Sequence, residues 1–141
     1  MAQPSVSLIV PLGEGHNDTR ETNWEWLRAR WEALRPGWEI IEGRCRADRW
    51  CKADAVREAA RYATGDVWVI CDADLWVESW PTLKEAAELA TVHPWVVPCG
   101  NVYRLNATAT AEIVAHDPDQ PVTWPTLRSS LDMSTRNVNP Y

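Results

Sequence analysis

Two hydrophobic periods alternate along this chain. Ser5-Val6-Ser7-Leu8-Ile9-Val10-Pro11-Leu12 is rich in β-branched residues and is stopped by Pro11 and Gly13, which predicts a first strand. The polar, Gly-containing stretch 13–21 reads as a loop leaving that strand. Thr22-Asn23-Trp24-Glu25 fits a capping box, and Trp24, Leu27, Trp31 and Leu34 then share one helical face until Pro36-Gly37 ends it. Trp38-Glu39-Ile40-Ile41 predicts a short second strand, and 42–50 is basic and irregular. A second helix is expected from Lys52 to Thr64, with a small-residue stripe of Ala55, Val56, Ala59, Ala60 and Ala63 and with Gly65 as its C-cap. Val67-Trp68-Val69-Ile70-Cys71 has no polar alternation, so it predicts a strand buried on both faces. Ser79-Trp80-Pro81-Thr82 opens a third helix running to Thr91, with Leu83, Ala86, Ala87 and Ala90 inward. Trp95–Pro98 and Val102–Leu105 are extended segments, a short helix is expected over 108–116, and beyond Asp117 no period is present.

Strands and helices in this alternating order imply an α/β fold: an open, mostly parallel sheet with helices on both faces. Composition agrees with one soluble globular domain, at 45% hydrophobic and 24% charged residues. A net charge of −6 without any basic tract argues against nucleic acid as the main partner. No apolar run approaches the roughly 20 residues that span a bilayer, and the N-terminus lacks a basic n-region, so the expected location is the cytoplasm. Cys45, Cys51, Cys71 and Cys99 show no CxxC spacing and read as reduced structural thiols. Aromatic content is lopsided, with ten Trp and no Phe; most of it is expected in the core, some of it stacking on a sugar or a nucleobase. Only Lys52 and Lys84 are lysines, which makes the position of Lys52 informative.

Candidate chemistry concentrates after the third predicted strand. Parallel strands present their C-terminal ends to a ligand crevice, and Asp72-Ala73-Asp74 sits at such an end. Two carboxylates there favour a divalent cation with oxygen ligands carrying a substrate's phosphates. A lone pattern of this kind is also that of a turn Asp followed by a capping Asp, a reading that the buried strand before it and the Lys52 motif upstream weaken here. Among the histidines, His93 complements a helix end, His16 stands alone, and His116 is the best placed as a ligand. Asp66 reads as a turn residue, Asp54 and Glu58 as favouring a helix N-terminus, and Arg104 as half of an ion pair at a strand end.

Lys52-Ala53-Asp54-Ala55-Val56, Ala63-Thr64-Gly65-Asp66 and Asp72-Ala73-Asp74, in this order and spacing, resemble the nucleotide-sugar-dependent glycosyltransferases of GT-A, Rossmann-like fold and DxD type, and Trp95 to Leu105 is similar to the next strand pair of actinobacterial and phage-type members. Leu8-Ile9-Val10-Pro11 is similar to their opening strand, and the resemblance spans about residues 5–105. It implies a metal-dependent transferase acting from a nucleotide-sugar, UDP-linked, to an unknown acceptor. It implies Mn²⁺ or Mg²⁺ held directly by Asp74 and less directly by Asp72, which also faces the ribose. Lys52 would lie near the diphosphate, Pro11, Leu12 and the loop after them along the nucleoside, Glu42 at the nucleobase from the end of the second strand, and Arg20, in the loop, toward the diphosphate. One departure is Arg57, where the family has Asn.

On this reading residues 1–105 form the donor-binding α/β domain and 106–141 a partly irregular tail, leaving a GT-A fold truncated on the acceptor side. The family's Gly-Trp-Gly-Gly-Glu-Asp-like segment is missing, so no catalytic base is assigned, and Asp117, Asp119 and Asp132 are the tail carboxylates available. The chain is therefore expected to be incomplete as a catalyst, with self-association or a partner chain covering the acceptor side. The alternatives are a non-catalytic nucleotide-sugar binding module, the donor half of a split transferase, and a nucleotide-binding domain unrelated to sugars.

Overall fold

The computed structural model describes residues 3–13, 18–45, 49–75, 80–99, 101–102, 105–122 and 136–137. Two compact units follow one another, Met1–Val96 and Val97–Tyr141. The first holds β1 (Val6–Leu12), α1 (Asp18–Leu34), β2 (Glu39–Arg44), α2 (Lys52–Ala60), β3 (Val67–Ile70) and α3 (Trp80–Ala90). Its strands form a parallel sheet of order β2-β1-β3, with Leu8 opposite Ile40 on one side and Val69 on the other. β1 is central and buried along its whole length, and its one polar residue, Ser7, is satisfied by donating its hydroxyl to Glu39 at 2.5 Å.

Helices cover both faces, and β2 shows why. Glu42 is reached from α1 by Trp24 and Arg28, whereas its neighbour Gly43 is pressed against α2. Successive strand residues face opposite ways, so α1 and α2 lie on opposite sides of the sheet. A Cβ on Gly43 would stand 1.9 Å from the Ala55 carbonyl oxygen, so only glycine lets the Ala55 and Ala59 side of α2 approach this closely. On the α1 side, Val6, Val67 and Ala87 of α3 form a small core extended by Trp38, Val69 and Ala90, and Trp31 stacks on Trp38 at 5.9 Å.

Several boundaries depart from the sequence expectation. α1 begins at Asp18, so Thr22–Glu25 is inside the helix and Arg20 lies on its first turn, not in a loop. Asp18-Thr19-Arg20-Glu21 carries the same cap-type signature earlier in the chain. α1 also buries more than one stripe, since Trp26 and Arg30 are covered along with Trp24, Leu27 and Trp31, and Arg30 packs over the Trp26 ring. β2 runs on to Arg44, so Glu42 does not end it. α2 stops at Ala60 with Arg61 as its C-cap, and Gly65 is not the cap. The reason is competition for backbone donors: Glu39 accepts from the Thr64 N–H (3.0 Å) and hydroxyl (3.2 Å), and Ser7 Oγ accepts from the Gly65 N–H (2.8 Å). Gly65 is needed for close approach, because a Cβ there would sit 2.6 Å from the Ser7 nitrogen.

β3 is not buried on both faces. Val67 is buried, but Trp68 and Ile70 are 50% and 52% exposed. β3 lies at the sheet edge, and α2 packs chiefly on β1 and β2, leaving the side of β3 that carries Trp68 and Ile70 open. Trp95–Pro98 forms no strand; Pro94 and Pro98 remove the donors a ladder would need there.

In the second unit, β4 (Asn101–Val102) pairs antiparallel with β5 (Arg136–Asn137), so the tail is not wholly irregular. Between them α4 (Ala107–Val114) is capped by Asn106, whose side chain accepts from the Ala109 N–H at 2.8 Å. No helix among the described residues is long and apolar enough to cross a membrane.

Candidate functional site

Because the three strands are parallel, their C-terminal ends open at one edge, and a cleft of about 970 Å³ lies there. β1 contributes Pro11, Leu12 and then Gly13; β2 contributes Glu42 and Arg44; Asp72, Ala73 and Asp74 follow β3. The early turns of α1 add Arg20, Glu21, Trp24, Glu25 and Arg28, and the start of α2 adds Trp50 and Lys52. Pro11, Leu12, Arg20, Glu42, Lys52, Asp72 and Asp74 thus line one cleft, within the first unit, whereas His116 belongs to the second unit and does not line it.

The acidic turn is held by its own backbone and by a thiol. The Cys71 N–H donates to the Ile9 carbonyl at 3.0 Å, continuing the β1–β3 ladder, and the Leu75 N–H donates to the Asp72 carbonyl at 3.1 Å. The buried Cys71 thiol donates to the Leu75 carbonyl at 3.2 Å. Both Asp side chains stay exposed to the cleft. Lys52 Nζ forms an ion pair with Asp72 Oδ1, each side chain about half exposed. A pair so accessible to water adds little stability, so its significance is positional.

Glu42 is engaged from three directions. Its Oε1 accepts from Trp24 Nε1 at 2.9 Å and Arg28 Nη1 at 2.7 Å, and its Oε2 from Arg44 Nη2 at 3.1 Å. Burial pushes its carboxyl up, but the Trp24, Arg44 and Arg28 donors outweigh that and hold it below the usual carboxylate range. The carboxylate therefore organises two guanidiniums at the cleft wall. Glu58, on α2, accepts from the Arg44 N–H at 2.6 Å and ties the helix to the end of β2, a role different from complementing the helix N-terminus.

Arg57 does not line the cleft and pairs with Asp54 at 3.0 Å. Asp66 caps the other end of the sheet, accepting from the Ser5 N–H and hydroxyl at 3.0 and 2.6 Å. His116 Nδ1 lies 2.6 Å from the Glu112 carbonyl just past α4. Asp117 and Asp119 are exposed in the second unit, while His16, Arg104 and Asp132 lie outside the described residues. All four cysteines are free thiols. Among the described residues no group of three or more His, Cys, Asp or Glu side chains gathers as a metal cluster, so Asp72 and Asp74 are the donor set to consider.

Sequence reasoning missed Arg28, Arg44 and Trp50 as cleft residues. Arg28 had a legible signal, standing one helical turn after Trp24 on the same side of α1. Arg44 shares the Glu42 face two positions on once β2 is carried to its end, whereas Trp50 had no signal, because it falls in a stretch without periodicity.

No curated protein and no solved structure matches the chain. A family model does, that of glycosyl transferase family 2, over residues 24–139. The matched span takes in Glu42, the Lys52 helix and the Asp72-Ala73-Asp74 turn, and the parallel α/β core fits a GT-A, Rossmann-like domain. On a match that covers most of its length, the chain belongs to glycosyl transferase family 2.

Proposed function

We propose that the cleft binds a UDP-linked sugar together with Mn²⁺ or Mg²⁺, and that the protein transfers the sugar to an acceptor. The observation that carries this is the meeting, at one edge of a parallel sheet, of the exposed Asp72 and Asp74 carboxylates with Lys52 and Arg20, on a cleft wall where Glu42 holds Arg28 and Arg44 and Glu21 and Glu25 stand nearby. The donor set suits the metal: Mg²⁺-type ions are commonly held by one or two carboxylates and complete their shell with water and substrate phosphates. Asp74 would hold the ion directly and Asp72 less directly, since Lys52 shares the Asp72 carboxylate. A bound divalent ion supplies Lewis-acid stabilisation of the leaving diphosphate.

The remaining work falls to the chain itself. The Lys52 ammonium places positive charge beside the diphosphate, as does Arg20 from α1. The first-turn amides of α2, which the Cys51 side chain does not cap, favour the same anion. Pro11, Leu12 and the Glu42 end of β2 line the nucleoside side.

A second reading, donor binding without transfer or with a partner chain supplying the acceptor wall, draws on the fact that all lining residues belong to Met1–Val96. Manganese-dependent release of sugar from UDP-sugar, to water or to an acceptor, marks the enzyme; tight UDP binding without any turnover marks the binder. For the metal, calorimetry should show UDP affinity falling when Mn²⁺ is withheld, and Asp74→Asn should remove most of that dependence. Equal affinity with and without metal in the unmutated protein contradicts the assignment.

A further inference from the structure

We infer that Trp50 is the platform on which the donor's nucleobase stacks, an inference that rests on the nucleotide reading above. Trp50 is 50% exposed although it is the largest kind of apolar side chain, and its exposed surface lines the cleft. Cys51, between Trp50 and Lys52, is extended at φ −136° and ψ 107°, and both of these neighbours line the cleft. Trp50 and Lys52 accordingly share one wall, their backbones about 6.6 Å apart at the usual strand rise. That spacing suits a ligand with a phosphate at the ammonium and a flat ring one ribose further along.

The position is also fixed in advance. The buried Cys45 thiol donates to the Arg49 carbonyl (3.6 Å) and accepts from the Cys51 N–H (3.3 Å), clipping the residues before and after Trp50 onto the end of β2. Trp50 therefore stands on the β2 side of Lys52, the side away from the carboxylate turn that follows β3. With the diphosphate at Lys52 and Asp72, the part of the donor reaching that side is the nucleoside. Arg44, held by Glu42 at the same strand end, offers edge donors beside the ring. An indole face gives stacking energy to any base, so the platform contributes affinity more than base discrimination.

The test is calorimetry on the full chain with UDP and with uridine, comparing Trp50→Leu and Trp50→Phe. Leucine keeps apolar bulk but has no π-face; phenylalanine keeps one. Trp50→Leu should weaken UDP and uridine by the same factor, about 5- to 20-fold, and Trp50→Phe should recover most of it. Unchanged UDP affinity in Trp50→Leu overturns the inference while leaving the nucleotide reading intact. Equal losses in the Leu and Phe variants overturn it as well, as does a loss seen with UDP-glucose but not with UDP, which places Trp50 at the sugar. Absence of any UDP binding to the unmutated chain sinks both.

Discussion

Lys52 shows how a single side chain can be read from sequence and still acquire its meaning from the fold. It opens α2, lines the cleft and pairs with Asp72 across the gap between α2 and the end of β3. If it addresses the diphosphate, Lys52→Ala should weaken UDP by about tenfold, the worth of one charge-assisted contact, and leave uridine nearly unaffected. Calorimetry with the two ligands decides it; equal losses would show that the ammonium does not meet the phosphates. Asp72, Asp74 and Lys52 were legible because a strand end and a helix start place side chains by rule. Arg44 was hidden because the second strand reads as ending at Glu42, although Arg44, two positions on, shares the Glu42 face, and the direction of Trp50 depends on the Cys45 clip, a contact that no period relates. Glu42 was found as a cleft residue, but its saturation by Trp24, Arg28 and Arg44 could be seen only once α1 was placed against β2.

At the level of elements, the apolar runs gave the strands and the small-residue stripe gave the packing side of α2, whose Ala55 and Ala59 are fully buried. Helix ends were read less well, because Glu39 and Ser7 take the donors of Thr64 and Gly65 from a distant part of the chain. β3 was misread on its exposed side for a related reason: an apolar run cannot say whether a strand is central or at an edge. The contact of α2 with β2 offers a sharp test. A methyl at Gly43 would meet Ala55 backbone rather than a movable side chain, and the helix must shift to admit it. Gly43→Ala should cost about 2–3 kcal/mol, the upper range for overpacking. Urea unfolding should show a lower midpoint with an unchanged slope, and an unchanged midpoint would mean the helix stands further off.

Across the whole molecule, the sheet's two ends have different chemistry. One end carries the cleft. The other is tied by carboxylates: Ser5 donors hold Asp66 below the usual range, and the Ser7 hydroxyl, followed by the Thr64 N–H, does the same to Glu39. A carboxylate whose folded pKa is depressed contributes stability that is complete above the unfolded value and is lost as pH falls through the folded one. Thermal midpoints should therefore hold down to about pH 5 and drop below about pH 4, with a smaller drop in Asp66→Asn and Glu39→Gln. An identical acid profile in both variants would assign the loss to other groups. The central place of β1 has a consequence for how the chain is made. The most deeply buried strand of the sheet is synthesised before either neighbour, and Leu8 must wait first for Ile40 and then for Val69. Until Ile70 has left the ribosome, one edge of β1 has no native partner, so closure of the sheet must span a long loop and that strand edge stays unpaired while half of the chain is made.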